Sequence, residues 1–182
     1  MLALDKTRLT AVAAIVIGSF FTTNTFASAS SLDAMYSPYK ATETFSGKSV
    51  TLDAKSHPYA RRYRTVLSGQ LSAGPNFAGR YVIASWGCGT SCLAHAIIDA
   101  NTGKVYVPKA IESSSMNFPC DIDSGLHYRR NSSLLIQVVP DGLEEAVVTA
   151  YNWKQRKLQK MESSKWPMER ACQTFANPPQ NT

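Results

Sequence analysis

The chain has 182 residues, 44% of them hydrophobic, with four cysteines and a formal charge of +6. That length suits one domain, and beyond the N-terminal segment nothing is apolar for long enough to cross a membrane. The same basic balance in the cytosol would point to nucleic acid. In a cell envelope the anionic surfaces are phospholipid head groups, lipopolysaccharide phosphates and acidic proteins, so no nucleic-acid partner is expected.

The N-terminus opens with Lys6 and Arg8, followed by an apolar run from Ala11 to Phe21. That run is about 11 residues, short of the roughly 20 that span a bilayer as a helix. Ala27-Ser28-Ala29 then supplies a small-x-small pattern. Residues 1–29 therefore read as a cleavable secretory signal, and a periplasmic or secreted mature chain is expected. All four cysteines fall after it, and an even count in an exported chain favours two disulfides over free thiols.

Residues 30–55 are rich in Ser, Thr, Ala and Lys and read as an extended leader with one short strand over 49–52. The single domain is expected over 56–182. Ser56-His57-Pro58 is a helix start with Ser56 as N-cap, and Tyr59, Tyr63, Val66 and Leu67 share one helical face. Arg61, Arg62 and Arg64 lie off that face, and Gly69 ends the helix. From Gly79 the pattern turns to strands, over 80–85, 93–98, 104–107, 126–129, 134–139, 146–153 and 158–162. Short, sequential strands favour an antiparallel meander. The expected fold is α+β: a curved antiparallel sheet of six or seven strands with one N-terminal helix packed on it.

The most unusual stretch is Trp86-Gly87-Cys88-Gly89-Thr90-Ser91-Cys92, set between two strands. Glycine permits close backbone approach, and a Cys88–Cys92 bridge would stiffen the loop. Four cysteines allow three pairings, and we favour Cys88–Cys92 with Cys120–Cys172. Chain-entropy arithmetic gives about 2 kcal/mol for the short loop and about 4 kcal/mol for the long one. The long bridge is then the staple, and the short one shapes a loop. A preorganised loop can serve as a hairpin lock or enter a partner's cleft at low entropic cost. A redox dithiol fits less well, because the spacing is C-x-x-x-C. No paired metal-ligand motif accompanies His95, so neither metal nor cofactor is expected. Trp86 is either a recognition anchor or core packing beside the cystine.

No G-x-S-x-G, H-E-x-x-H or P-loop motif is present. A small hydrolase would have to assemble His95 or His127 with an acid such as Asp99. His95 shares a strand face with Leu93 and Ile97, which is a core position.

Asn76-Phe77-Ala78-Gly79-Arg80-Tyr81, Trp86 through Cys92, and Asp99 through Tyr106 together resemble a pattern in exported bacterial proteins of unknown function. The strand, cysteine-bracketed loop and following strands are also similar in layout to the periplasmic inhibitors of vertebrate lysozyme, which present such a loop to the enzyme's cleft. Here the loop is shorter and carries Gly89, Thr90 and Ser91 where that family has a histidine and an acidic residue. The resemblance thus implies an architecture more than a target. The leading expectation is a partner-binding envelope protein, with Trp86 to Cys92 as the contact and Arg61, Arg62 and Arg64 steering. The alternatives are a small hydrolase and a structural factor that holds anionic lipid or glycan through its basic clusters. The oligomeric state stays open.

Overall fold

The computed structural model describes residues 31–48 and 50–176, so the expected signal segment and Ser49 lie outside the described residues. Among the described residues, four α-helices and eight strands follow in the order α1 (Ser31–Tyr36), α2 (Pro58–Arg62), α3 (Arg64–Ser72), β1 (Tyr81–Gly89), β2 (Cys92–Asp99), β3 (Val105–Tyr106), β4 (Ser113–Ser115), β5 (Leu126–Tyr128), β6 (Leu134–Asp141), β7 (Glu145–Lys154), β8 (Lys157–Pro167) and α4 (Met168–Phe175). Every strand pairing is antiparallel. The α+β class and the antiparallel meander both hold.

The strands divide between two four-stranded sheets where one was expected. The first has the order β1-β2-β3, with β4 also on β2; the second is β5-β6-β7-β8. Three hydrophobic clusters explain the division. Val82, Ala84, Trp86, Ala96 and Ile98 pack with Leu67 and Leu71 of α3 on one face of the first sheet. Tyr81, Ile83 and Ile97 on its other face meet Leu135, Tyr151 and Trp153 of the second sheet. Ile136, Val138 and Val148 then pack against α1 and α4 through Leu32, Tyr36, Ala171 and Phe175. The order of layers is helix, sheet, sheet, helices. A strand buried on both faces needs apolar residues in sequence, which is why Val82-Ile83-Ala84 and Leu134-Leu135-Ile136 run without alternation.

The 56–72 region departs from the expected helix at three points. His57, not Ser56, is the N-cap, its Nδ1 accepting the Tyr59 N–H at 3.1 Å. Ser56 Oγ instead accepts the Val105 N–H and so ties the helix start to β3. The helix breaks at Tyr63 and runs past Gly69 to Ser72. It continues because Leu71 adds a further turn to the buried face. The leader is also more than an extended strap: it opens with α1, and Val50–Leu52 form no strand.

Two features manage the sheet edges. Along β1, the Gln70 side chain takes the N–H of Ser85 and donates to its carbonyl, and the Asn76 side chain does the same at Ile83. These side-chain amides act as a substitute strand. Along β8, Ala150 pairs Glu162 and Tyr151 pairs Lys160, which leaves Met161 as the extra residue of a bulge.

Candidate functional site

The β1–β2 hairpin carries the cysteine loop. Register runs regularly to Gly87 opposite Leu93, then resumes at Gly89 opposite Cys92, so Cys88 is an extra, bulged residue. Gly89 lies at φ 146° and Ser91 at φ 52°, which closes the chain through Thr90 and Ser91. A disulfide joins Cys88 to Cys92 across the hairpin, with 5.2 Å between their Cα atoms. The Met116 N–H donates to the Ser91 carbonyl at 3.0 Å, and Ser115 pairs Cys92, so the tip is braced from a third side. Gly87, Cys88, Gly89 and Thr90 are exposed, as is Met116, while Ser91 and Cys92 are half-buried. The tip and its brace carry no charged side chain from 86 to 94 or from 113 to 119.

Trp86 belongs to the root of the hairpin, not to its exposed end. It is buried, with its ring 4.8 Å from Tyr63 and edge-on to Tyr59 at 5.9 Å. Arg62 in turn lies over the Tyr63 ring, 5.4 Å from its centroid. The Tyr59–Tyr63–Trp86 stack therefore couples the exposed Arg61, Arg62 and Arg64 helix surface to the base of the loop. Tyr59 also donates to Glu112 at 2.8 Å, and that carboxylate raises its phenol pKa.

The histidines lie in the interior. His95 is fully buried between Ser85 Oγ at 2.8 Å and Ser114 Oγ at 2.7 Å, linking β1, β2 and β4. His127 stacks on Phe175 at 4.6 Å, and its Nε2 meets no partner among the described residues. Burial lowers both pKa values to about 4. Asp99 is not brought to either ring. Its Oδ2 receives Arg80 Nη2 at 3.1 Å and its Oδ1 the Asn101 N–H at 2.9 Å. The candidate acid–base set of His95, His127 and Asp99 is thus dispersed among separate structural roles. Among the described residues, no group of three or more His, Cys, Asp or Glu gathers to hold a metal.

A polar cluster around Asp99 does not follow from the sequence pattern. Arg80 Nε meets Glu43 Oε2 at 2.8 Å, and the Tyr81 hydroxyl donates to the same oxygen at 2.9 Å. Glu43 comes from the leader, far away in sequence, so no local spacing announces the contact. The glycines of the motif-like stretches do carry a signal. A Cβ on Gly79 would sit 1.8 Å from the Glu43 carbonyl oxygen, and one on Gly103 2.1 Å from that of Thr51. Both glycines mark places where the leader crosses the domain. The pattern of Asn76, Gly79, Arg80, Asp99 and Gly103 is therefore a clasp for the leader and for the β1 edge.

The two disulfides, Cys88–Cys92 and Cys120–Cys172, belong to an oxidising, extracytoplasmic compartment. No helix among the described residues is long and apolar enough to cross a membrane. No family model matches this chain, and no curated protein or solved structure is significantly similar to it.

Proposed function

We propose that this is an exported envelope protein, released by cleavage near Ala29, that binds a macromolecular partner through the Cys88–Cys92 hairpin. Inhibition of a cell-wall hydrolase, or immunity against a secreted toxin, is the concrete form. The observation that carries this reading is the hairpin itself: an exposed tip closed by a disulfide, braced by Met116 and rooted at the buried Trp86, which packs on the half-buried Tyr59 and Tyr63. A tip held on three sides loses little freedom on insertion, so little contact energy is lost to ordering it. Its lack of charge fits a cleft that is itself desolvated, because an unpaired charge there would cost several kcal/mol. The exposed Arg61, Arg62 and Arg64 supply long-range attraction to an acidic partner without entering the contact.

The oxidised protein, immobilised, is used to capture partners from envelope and culture-supernatant extracts. Thr90→Arg places a long cation at the exposed tip and should weaken capture about a hundredfold, equivalent to roughly 3 kcal/mol. Circular dichroism and thiol counts should stay unchanged, and retention equal to the parent protein would remove the loop from the contact. Added salt separates a second reading. Binding to anionic lipid or glycan through the arginines collapses as salt rises, whereas tip insertion persists.

A further inference from the structure

The leader and the β5–β6 turn border an open cavity of about 540 Å³, lined by Glu43, Thr44, Phe45 and Gly79 on one side and Arg129 and Arg130 on the other. That volume lies within the usual range for small-molecule sites. The cavity belongs neither to the hairpin nor to the histidines. Its walls are fixed by backbone contacts: the Gly79 N–H donates to the Arg130 carbonyl at 2.6 Å, and the Ala41 N–H to the Asn131 carbonyl at 2.9 Å. Gly79 thus touches the Arg130 backbone through its amide and the Glu43 backbone through its bare α-carbon.

The charges on the two walls are opposite. On the leader wall, one cation, Arg80, meets two carboxylates, Glu43 and Asp99. Asp99 is buried, so the excess negative charge is expressed at Glu43. Both contacts of Glu43 fall on Oε2, and its Oε1 takes no partner among the described residues. On the opposite wall Arg129 is neutralised by Asp33 and lies over the Tyr36 ring. Arg130 makes no ion pair among the described residues. Glu43, with one open carboxylate oxygen, and Arg130, with an uncompensated guanidinium, therefore line a shared cavity together with the apolar Phe45.

We propose that this cavity binds a small zwitterion of the amino-acid or short-peptide class. Its carboxylate pairs with the Arg130 guanidinium, its ammonium with Glu43 Oε1, and its side chain covers Phe45. A simple anion would meet only half of this arrangement and would lie against the excess negative charge of Glu43.

The test titrates the oxidised protein with alanyl-alanine, its N-acetyl form, its C-terminal amide and inorganic phosphate, following the Glu43, Gly79 and Arg130 amides by NMR. The free dipeptide should give saturable shifts at all three, and capping either end should weaken binding about tenfold or more, the worth of one charge-assisted hydrogen bond. Arg130→Ala keeps the backbone clasp and should erase the distinction between free carboxylate and amide. Glu43→Gln keeps an acceptor for Arg80 and Tyr81 and should erase the distinction between free and acetylated amine. Absence of saturable shifts, equal affinity for capped and free forms, or phosphate binding as tightly as the dipeptide would each overturn the proposal.

Discussion

Ser85 and Ser114 enclose His95, and Phe175 covers His127, so both imidazoles are held neutral with pKa values lowered to about 4. In the unfolded chain each titrates at about 6.5. Between those values the unfolded state binds protons that the folded state does not, so stability rises with pH there. It should therefore fall as the pH drops from about 6.5 toward about 4, by up to about 3 kcal/mol per histidine at the lower limit. Urea denaturation at a series of pH values measures the slope. His127→Phe keeps the ring contact with Phe175, removes the unpartnered Nε2, and should roughly halve that slope. His95→Phe would instead leave two hydroxyls without their shared partner and should cost stability at neutral pH, by about 1–3 kcal/mol per orphaned group. The two histidines are alike in pKa and differ in what surrounds them.

At the level of elements, the β7–β8 hairpin turns through Gln155 and Arg156, both in the left-handed region at φ 53° and 61°. Non-glycine residues there cost roughly 1 kcal/mol each, and an asparagine followed by a glycine is the preferred pair for a two-residue turn of this hand. The double substitution Gln155→Asn/Arg156→Gly should raise stability by about 1 kcal/mol, read as a higher urea midpoint at constant slope. Seven strands were legible in the sequence because β-branched and aromatic runs alternate with turn residues, whereas β4 was not, its three serines carrying no such signal. The hairpin at Cys88 was legible because two cysteines and two glycines fall within a few positions. Gly69 is a false stop signal, since glycine is tolerated inside a helix when the next turn buries a side chain such as Leu71. Helix α1 left little trace, because six residues do not form a helix alone and this one is held by packing of Leu32 and Tyr36. Helix α4 was not expected either, although the spacing of the buried Met168, Ala171 and Phe175 carries a signal for it. The Glu43–Arg80–Asp99 cluster had no local signature at all, because its members meet only after the leader has folded across the domain.

Over the whole molecule, the two disulfides act on different scales. Cys120–Cys172 spans 52 residues and fastens the segment before β5 to α4, beside the cluster that α1 also shares. Cys88–Cys92 spans four residues and constrains only the hairpin. Replacing the long bridge, Cys120→Ser/Cys172→Ser, should cost about 4 kcal/mol, and Cys88→Ser/Cys92→Ser about 2 kcal/mol. Paired thermal melts check the order of the two, and partner capture should be lost only with the second. The sheet edges also differ across the molecule. Side-chain amides of Gln70 and Asn76 cover β1, whereas β8 relies on Lys157, Lys160, Lys165 and the Met161 bulge. The apolar faces, meanwhile, are sealed from opposite directions along the chain. Leu32 and Tyr36 join Ala171 and Phe175 over the outer face of the second sheet, so early and late segments complete one layer together. Neither end of the fold can therefore seal that layer alone: a chain lacking α4 would display the bare face of β6 and β7, the kind of surface that chaperones and proteases act upon.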